Sequence, residues 1–192
     1  MRAMIVYESM FGNTHVIADA IGKGLEPAGV VVVVPVPEAG RELLGDVDLL
    51  VVGGPTHFHS MSRTRTRKWA IAIAQNPRSD LVLDRDAQGA GVRDWLGSLG
   101  QGHTNVAVFD TRRKGPAVLW GRASKGIGRT LRAHGFETVS KPKSFFVTKD
   151  NHLKRGEEVR AEEWGQRLAT RLVSNGAAKV DRPGQPPTSK ET

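Results

Sequence analysis

The sequence predicts an α/β domain: a doubly wound, five-stranded parallel sheet between two layers of helices. Three observations lead there. Short apolar runs rich in β-branched residues alternate along the chain with stretches of helical periodicity. The runs are continuous rather than alternating, as in strands covered on both faces. Glycine, proline or polar residues close each run, where a strand hands over to a loop. Such sheets use right-handed crossovers, and their ligands gather outside the carboxyl ends of the strands.

Residues 3–7, Ala-Met-Ile-Val-Tyr, form the first expected strand. Residues 14–25 follow as a helix, with Ile17, Ile21 and Leu25 about a turn apart and Pro27 and Gly29 beyond its end. The valine run 30–34 is too β-branched for a comfortable helix and is expected as a second buried strand. Residues 49–52 make the third strand, ending at Gly53-Gly54-Pro55, and residues 106–109 the fourth, ending at Asp110. Between them, residues 69–74 and 90–99 carry helical patterns, the latter with Val92, Trp95, Leu96 and Leu99 on one face. Residues 119–134 read as a helix through Leu119, Ala123, Ile127 and Leu131, with Gly135 just past its end. Residues 136–147 read as a fifth strand interrupted around Pro142, which cannot donate to a ladder. The last helix is expected over 157–174, with Trp164, Leu168 and Leu172 as its apolar stripe. Its acids come first and Arg167 and Arg171 last, which complements the helix dipole. The domain is expected to occupy residues 1–175. Residues 176–192 have little to bury and are expected to be a disordered tail.

A chain of 192 residues suits one domain with a substantial core. It has no cysteine, which excludes disulfides, a thiol nucleophile, iron–sulfur clusters and Cys-ligated zinc. No uninterrupted apolar stretch reaches the ~20 residues of a membrane span. Glu8 arrives too early for a secretory leader, so a cytoplasmic location is expected. Lys plus Arg number 28 against 20 Asp plus Glu, a formal charge of +8, which favours anionic ligands or partners.

The loop after the first strand, Glu8-Ser9-Met10-Phe11-Gly12-Asn13-Thr14, opens a helix. Free amides and the positive dipole end make a helix start an anion site, and Ser9, Asn13 and Thr14 add side-chain donors. Gly-Asn-Thr is equally an ordinary turn and N-cap. The loop after the third strand is Gly53-Gly54-Pro55-Thr56-His57-Phe58-His59-Ser60-Met61. His57 and Phe58 could stack on a flat ligand; alternatively, Phe58 folds back over the sheet.

Ser-Met-Phe-Gly-Asn-Thr after the first strand and Gly-Gly-Pro-Thr-His-Phe-His after the third resemble the flavodoxin-like family. Val108-Phe109-Asp110-Thr111-Arg112 is similar to that family's third loop region. Ser144-Phe145-Phe146-Val147 with residues 156–168 is similar to its C-terminal element. The likeness spans roughly residues 1–175. It implies strand order 2-1-3-4-5 and an FMN cofactor. It further implies that Ser9, Met10, Phe11, Gly12, Asn13 and Thr14 hold the phosphate. Pro55, Thr56, His57, Phe58 and His59 would line the flavin ring, with Thr111 and Arg112 on its other side. The Ser-Met-Phe-Gly form is more like the flavodoxin-like quinone reductases than the electron carriers, which usually have threonine where Phe11 stands. The carriers are typically acidic and stack a third-loop tyrosine on the ring. This chain is basic, and its only tyrosine, Tyr7, lies in the first strand. Residues 63–86 have no counterpart in the resemblance.

Reduced flavin is anionic at N1. A unit positive charge at about 6 Å contributes roughly 3 kcal/mol to it at an effective dielectric near 20. The expected function is therefore an FMN-dependent oxidoreductase passing two electrons, such as a hydride from NAD(P)H, on to a quinone. Two readings stay open beside it: a flavodoxin-type electron carrier, and a cofactor-free module that binds an acidic partner. A homo-oligomer is also left open.

Three further features invite other functions. Gly121-Arg122-Ala123-Ser124-Lys125-Gly126-Ile127-Gly128 has a dinucleotide-like look, but its spacing and its place after the fourth strand fit helix–sheet packing better. His57 and His59 lack a visible third ligand, so no metal site is expected. Arg63, Arg65, Arg67 and Lys68 beside Trp69 read as a solvated helix face; no nucleic-acid motif accompanies them. With no Ser-His-Asp set and no paired carboxylates at strand ends, chemistry is left to the cofactor.

Overall fold

The computed structural model describes residues 1–40, 44–57, 60–116 and 121–180. The elements run β1 (Arg2–Tyr7), α1 (Asn13–Leu25), β2 (Val30–Pro35), β3 (Leu49–His57), β4 (Ser60–Met61), α2 (Thr64–Ala74), α3 (Val92–Ser98), β5 (Asn105–Arg113), α4 (Ala123–Ala133), β6 (Glu137–Thr138), β7 (Lys143–Val147) and α5 (Glu157–Val180). Successive residues of a strand face opposite sides. In β1, Ala3, Ile5 and Tyr7 pack with Ile17, Ile21 and Leu25 of α1 and with Trp164 and Leu168 of α5. Met4 and Val6 face the other way, toward Trp95 and Leu96 of α3 and Ile127 and Leu131 of α4. Leu49 and Val51 of β3 join the first cluster, and Leu50 and Val52 the second. Burial on both faces is why these strands read as unbroken apolar runs.

The strands β2, β1, β3 and β5 lie side by side and parallel. The last position is shared: β6 pairs with Asn105 and Val106, and β7 with residues 109–113. The sheet thus keeps the order 2-1-3-4-5, its fifth strand split where Pro142 stands. Gly135 takes the left-handed conformation after α4 (φ 86°), and the Gly135 and Phe136 amides donate to the Arg132 and Leu131 carbonyls. The glycines of α4 serve packing: a Cβ on Gly126 would meet Met61, and one on Gly128 would meet Val108. Among the described residues no helix is long and apolar enough to cross a membrane.

Several expectations need correction. The valine run is not buried: β2 is an edge strand, with Val30 61% and Val32 46% exposed, while Val31 and Val33 pack on the core. Hydrophobicity marks a strand but not its place in the sheet. The third strand does not stop at Gly53-Gly54-Pro55. It pairs with β5 through Pro55↔Thr111 and folds back on β4 through Thr56↔Met61 and His57↔Ser60. The fourth strand runs past Asp110 to Arg113. The helix expected from 119 begins at Ala123, and Leu119 lies outside the described residues. Helix α5 carries on to Val180, over the first residues of the expected tail; residues 181–192 lie outside the described ones.

Gly53 lets β3 and β5 stay paired at this depth. A Cβ there would sit 2.1 Å from Phe109 Cζ. That ring is fully buried and held edge-on by Phe145 and Trp164. Gly53→Ala is therefore expected to cost about 1–3 kcal/mol by overpacking. This is a fall in melting temperature of roughly 2–12 °C for a domain of this size, measurable by calorimetry.

Candidate functional site

The carboxyl ends of β1, β3, β5 and β7 meet at one edge of the sheet. The Glu8 amide donates to the Gly53 carbonyl at 3.0 Å, so β1 leaves the sheet bound to β3. The chain then turns through Gly12, whose φ of 83° favours glycine, into α1. Ser9 Oγ accepts the Gly12 amide at 3.1 Å, and no side chain caps the helix. The opening amides of α1 are thus left to an outside acceptor. Helix α4 is the contrast. Its Ala123 amide donates to Thr56 Oγ1 at 3.0 Å, and the Ser124 amide and hydroxyl donate to Asp110 Oδ2 at 2.8 and 2.7 Å. Of these two helix starts at the strand ends, α4 is engaged internally and α1 is not.

Beside the α1 start lies a cavity of about 300 Å3, at the small end of the range for ligand pockets. Ser9, Met10, Phe11, Asn13, Thr14, Pro55, Thr56, Thr111 and Arg112 all line it. Gly12 instead borders a neighbouring cleft. The backbone of His57 ends β3, whereas Phe58 and His59 lie outside the described residues. Thr14 and Thr111 hydroxyls are 2.7 Å apart and buried, and only one hydrogen is used between them. Asn13 Nδ2 donates to the Asn151 carbonyl at 2.7 Å, tying the first loop to the loop after β7.

Sequence reasoning missed the other walls. Trp69, Ala70 and Ile73 of α2 and Leu81 form one; Arg113, Val147, Thr148, Lys149 and Asn151 form another. The first comes from the stretch without a counterpart. The second lies after the fifth strand, a strand end the doubly wound rule also points to.

Arg112 is 5% exposed. Its Nη1 donates to the carbonyls of Arg113 and Gly115 at 3.1 and 3.0 Å, and its guanidinium lies 5.0 Å from the centre of the Phe146 ring. Its Nε is buried without a hydrogen-bond partner. Burial lowers its pKa, Arg122 adds to this and Asp110 opposes it; an arginine stays charged through such shifts. Arg112, Arg113 and Lys149 are the charged groups on the described wall, and no carboxylate joins them.

The basic run 63–68 is only partly a solvated face. Arg63, Arg65 and Lys68 are exposed, but Arg67 is 7% exposed and donates to Asp94 Oδ2 at 2.9 Å. Nearby, Glu8 Oε2 accepts the Val92 amide at 2.8 Å, so β1 holds the start of α3. Burial raises the Glu8 pKa above its ordinary value; Ser62, the Val92 amide and Arg67 pull the other way.

The folded chain therefore holds the Glu8 proton more tightly than the unfolded chain does. As pH rises from about 4.5 through the elevated folded value, the unfolded state loses the proton first and stability falls. Glu8→Gln keeps an acceptor for Val92 and has no such proton. The melting temperature of Glu8→Gln minus that of the wild type is expected to grow as pH rises from 4.5 towards neutrality. A difference that stays flat or shrinks would contradict the assignment.

No protein-family model matches the chain, and no curated protein matches its sequence. Solved structures do match. A flavodoxin from the domain Archaea superposes with a TM-score of 0.61 at 18% identity, covering 90% of this chain and 99% of that one. Oxidised flavodoxin 1 from Bacillus cereus gives 0.59 at 16% identity, covering 91% and 98%. A WrbA-like flavodoxin from Agrobacterium tumefaciens gives 0.57 at 17% identity, covering 90% and 98%. The chain has the flavodoxin-like fold.

Proposed function

We propose that the cavity at the α1 start binds FMN and that the chain is an FMN-dependent oxidoreductase. One observation carries this reading. The uncapped opening of α1 adjoins a cavity whose charged lining residues are Arg112, Arg113 and Lys149. The donor set suits a phosphate: helix amides and the spare hydroxyl hydrogen of the Thr14–Thr111 pair. Pro55, Thr56 and Trp69 supply flat or small surfaces beside it. Flavodoxins and a WrbA-like flavodoxin among the fold neighbours support the same reading.

When bound, FMN supplies hydride and electron transfer. The protein's part is position and field. The α1 amides and Thr14 anchor the phosphate end, and Arg112, fixed by the carbonyls it serves, contributes positive charge in a partly dry wall. A group held there would meet a positive field, which favours negative charge on it. Trp69, 54% exposed, offers a planar apolar contact at the cavity for a planar acceptor. We propose NAD(P)H as donor and a quinone as acceptor.

The purified chain is expected to take up FMN, with quenching of flavin fluorescence. Thr14→Val should weaken uptake roughly 10- to 150-fold, the value of a hydrogen bond to a charged group. Equal uptake by both, or none by the wild type, would remove the reading. The loaded chain should oxidise NAD(P)H with menadione as acceptor. FMN binding without that turnover would favour the electron-carrier alternative.

A further inference from the structure

A second group of side chains lies beside the first loop, at the neighbouring cleft that Gly12 borders. His15, on the first turn of α1, faces a turn that carries Asp84 and Asp86. Its Nδ1 is 3.4 Å from Asp84 Oδ2 and 3.7 Å from Asp86 Oδ2. One nitrogen and two carboxylate oxygens, all within 4.8 Å of one another, form the group. An open cleft of about 280 Å3, lined by His15, Asp19 and Asp84, leads to it.

We propose that His15, Asp84 and Asp86 bind a divalent transition-metal cation, Zn2+ being the fitting probe. Four observations carry this. First, the His15 Nδ1 separations of 3.4 and 3.7 Å are longer than a typical hydrogen bond. Two ligand atoms each about 2.1 Å from a tetrahedral metal lie about 3.4 Å apart. Second, Asp84 Oδ2 is buried without a hydrogen-bond partner, on a side chain only 4% exposed. Its Oδ1 is occupied by the Asp86 amide at 3.3 Å, so the free oxygen is the one turned to His15. A buried unsatisfied carboxylate oxygen is costly unless a cation or donor completes it.

Third, neighbouring groups hold the ligand atoms in place. His15 Nε2 lies 3.6 Å from Asp19 Oδ2, and Nδ1 is the ring nitrogen turned to Asp84 and Asp86. Tyr7 stacks on the ring with centroids 4.7 Å apart, and its hydroxyl donates to Asp86 Oδ2 at 2.8 Å, holding that carboxylate in place. Fourth, the ligand types suit the ion: imidazole with carboxylates matches Zn2+, and the open cleft leaves a coordination position for water. The pair weighed from sequence was His57 and His59; this group instead draws on His15, whose partners lie some seventy residues away.

The Asp84 amide donates to the Met10 carbonyl at 2.9 Å. The cation would therefore fasten the 84–86 turn to the loop that opens α1. The site stands without FMN, so the test uses the chain with no added flavin. The full chain, freed of metal by chelator, is titrated with Zn2+ against a chromophoric chelator near neutral pH. One equivalent is expected to bind with micromolar or tighter affinity. His15→Gln and Asp84→Asn should each weaken it at least tenfold, and Asp46→Asn, a surface carboxylate elsewhere, should not. No saturable binding up to millimolar Zn2+ would overturn the proposal. So would unchanged affinity in both ligand variants. Should either variant fail to fold, wild-type crystals soaked in Zn2+ decide: an anomalous peak between His15 Nδ1 and the two carboxylates supports the site, and a peak only elsewhere refutes it.

Discussion

Covering the central strands on both faces is the constraint from which the architecture follows. Ile5 and Val51 must be dry on one side of the sheet, and Met4, Val6, Leu50 and Val52 on the other. Parallel neighbours cannot be joined by tight hairpins, and the β1–β2, β3–β5 and β5–β6 connections carry helices that supply the cover. Helices α1 and α5 pack against one face, and α3 and α4 against the other. All loops that leave the strands' carboxyl ends then collect on one edge, and the cavity forms there for topological reasons.

What distinguishes places along that edge is how helix starts are satisfied. Backbone amides at a helix start need acceptors. At α4 the protein supplies them, from Thr56 on β3 and Asp110 on β5. At α1 it does not, since Ser9 accepts from Gly12 and Asn13 donates away to Asn151. The same helix therefore combines an open backbone end with His15 one turn in, beside the cavity on one side and the acidic turn on the other. Two differently charged sites share one short loop: cations line the first and carboxylates the second.

Buried charge ties the less regular part of the chain to this edge. Arg67 joins α2 to α3 through Asp94, and Glu8 joins β1 to α3 through the Val92 amide. At the other flank, Arg160 donates to the Ser144 carbonyl and to Glu157, whose Oε2 accepts the Phe146 amide. Removing one partner of such a pair leaves the other buried group uncompensated, which costs more than the intact contact contributes.

The sequence alone determined the element order, the parallel sheet, the broken fifth strand and the left-handed end at Gly135, because each depends on local pattern. Apolar run, helical period, proline and glycine act within a few residues of themselves. Its resemblance to the flavodoxin-like family also singled out Ser9, Thr14, Pro55, Thr111 and Arg112. Only the tertiary structure decided that the valine run lies at an edge, that Arg67 is inside, and that Trp69 and Lys149 wall the cavity. Only it brought His15 to Asp84 and Asp86. Those outcomes depend on which distant segment covers a given surface, and periodicity along the chain carries no record of distance in space.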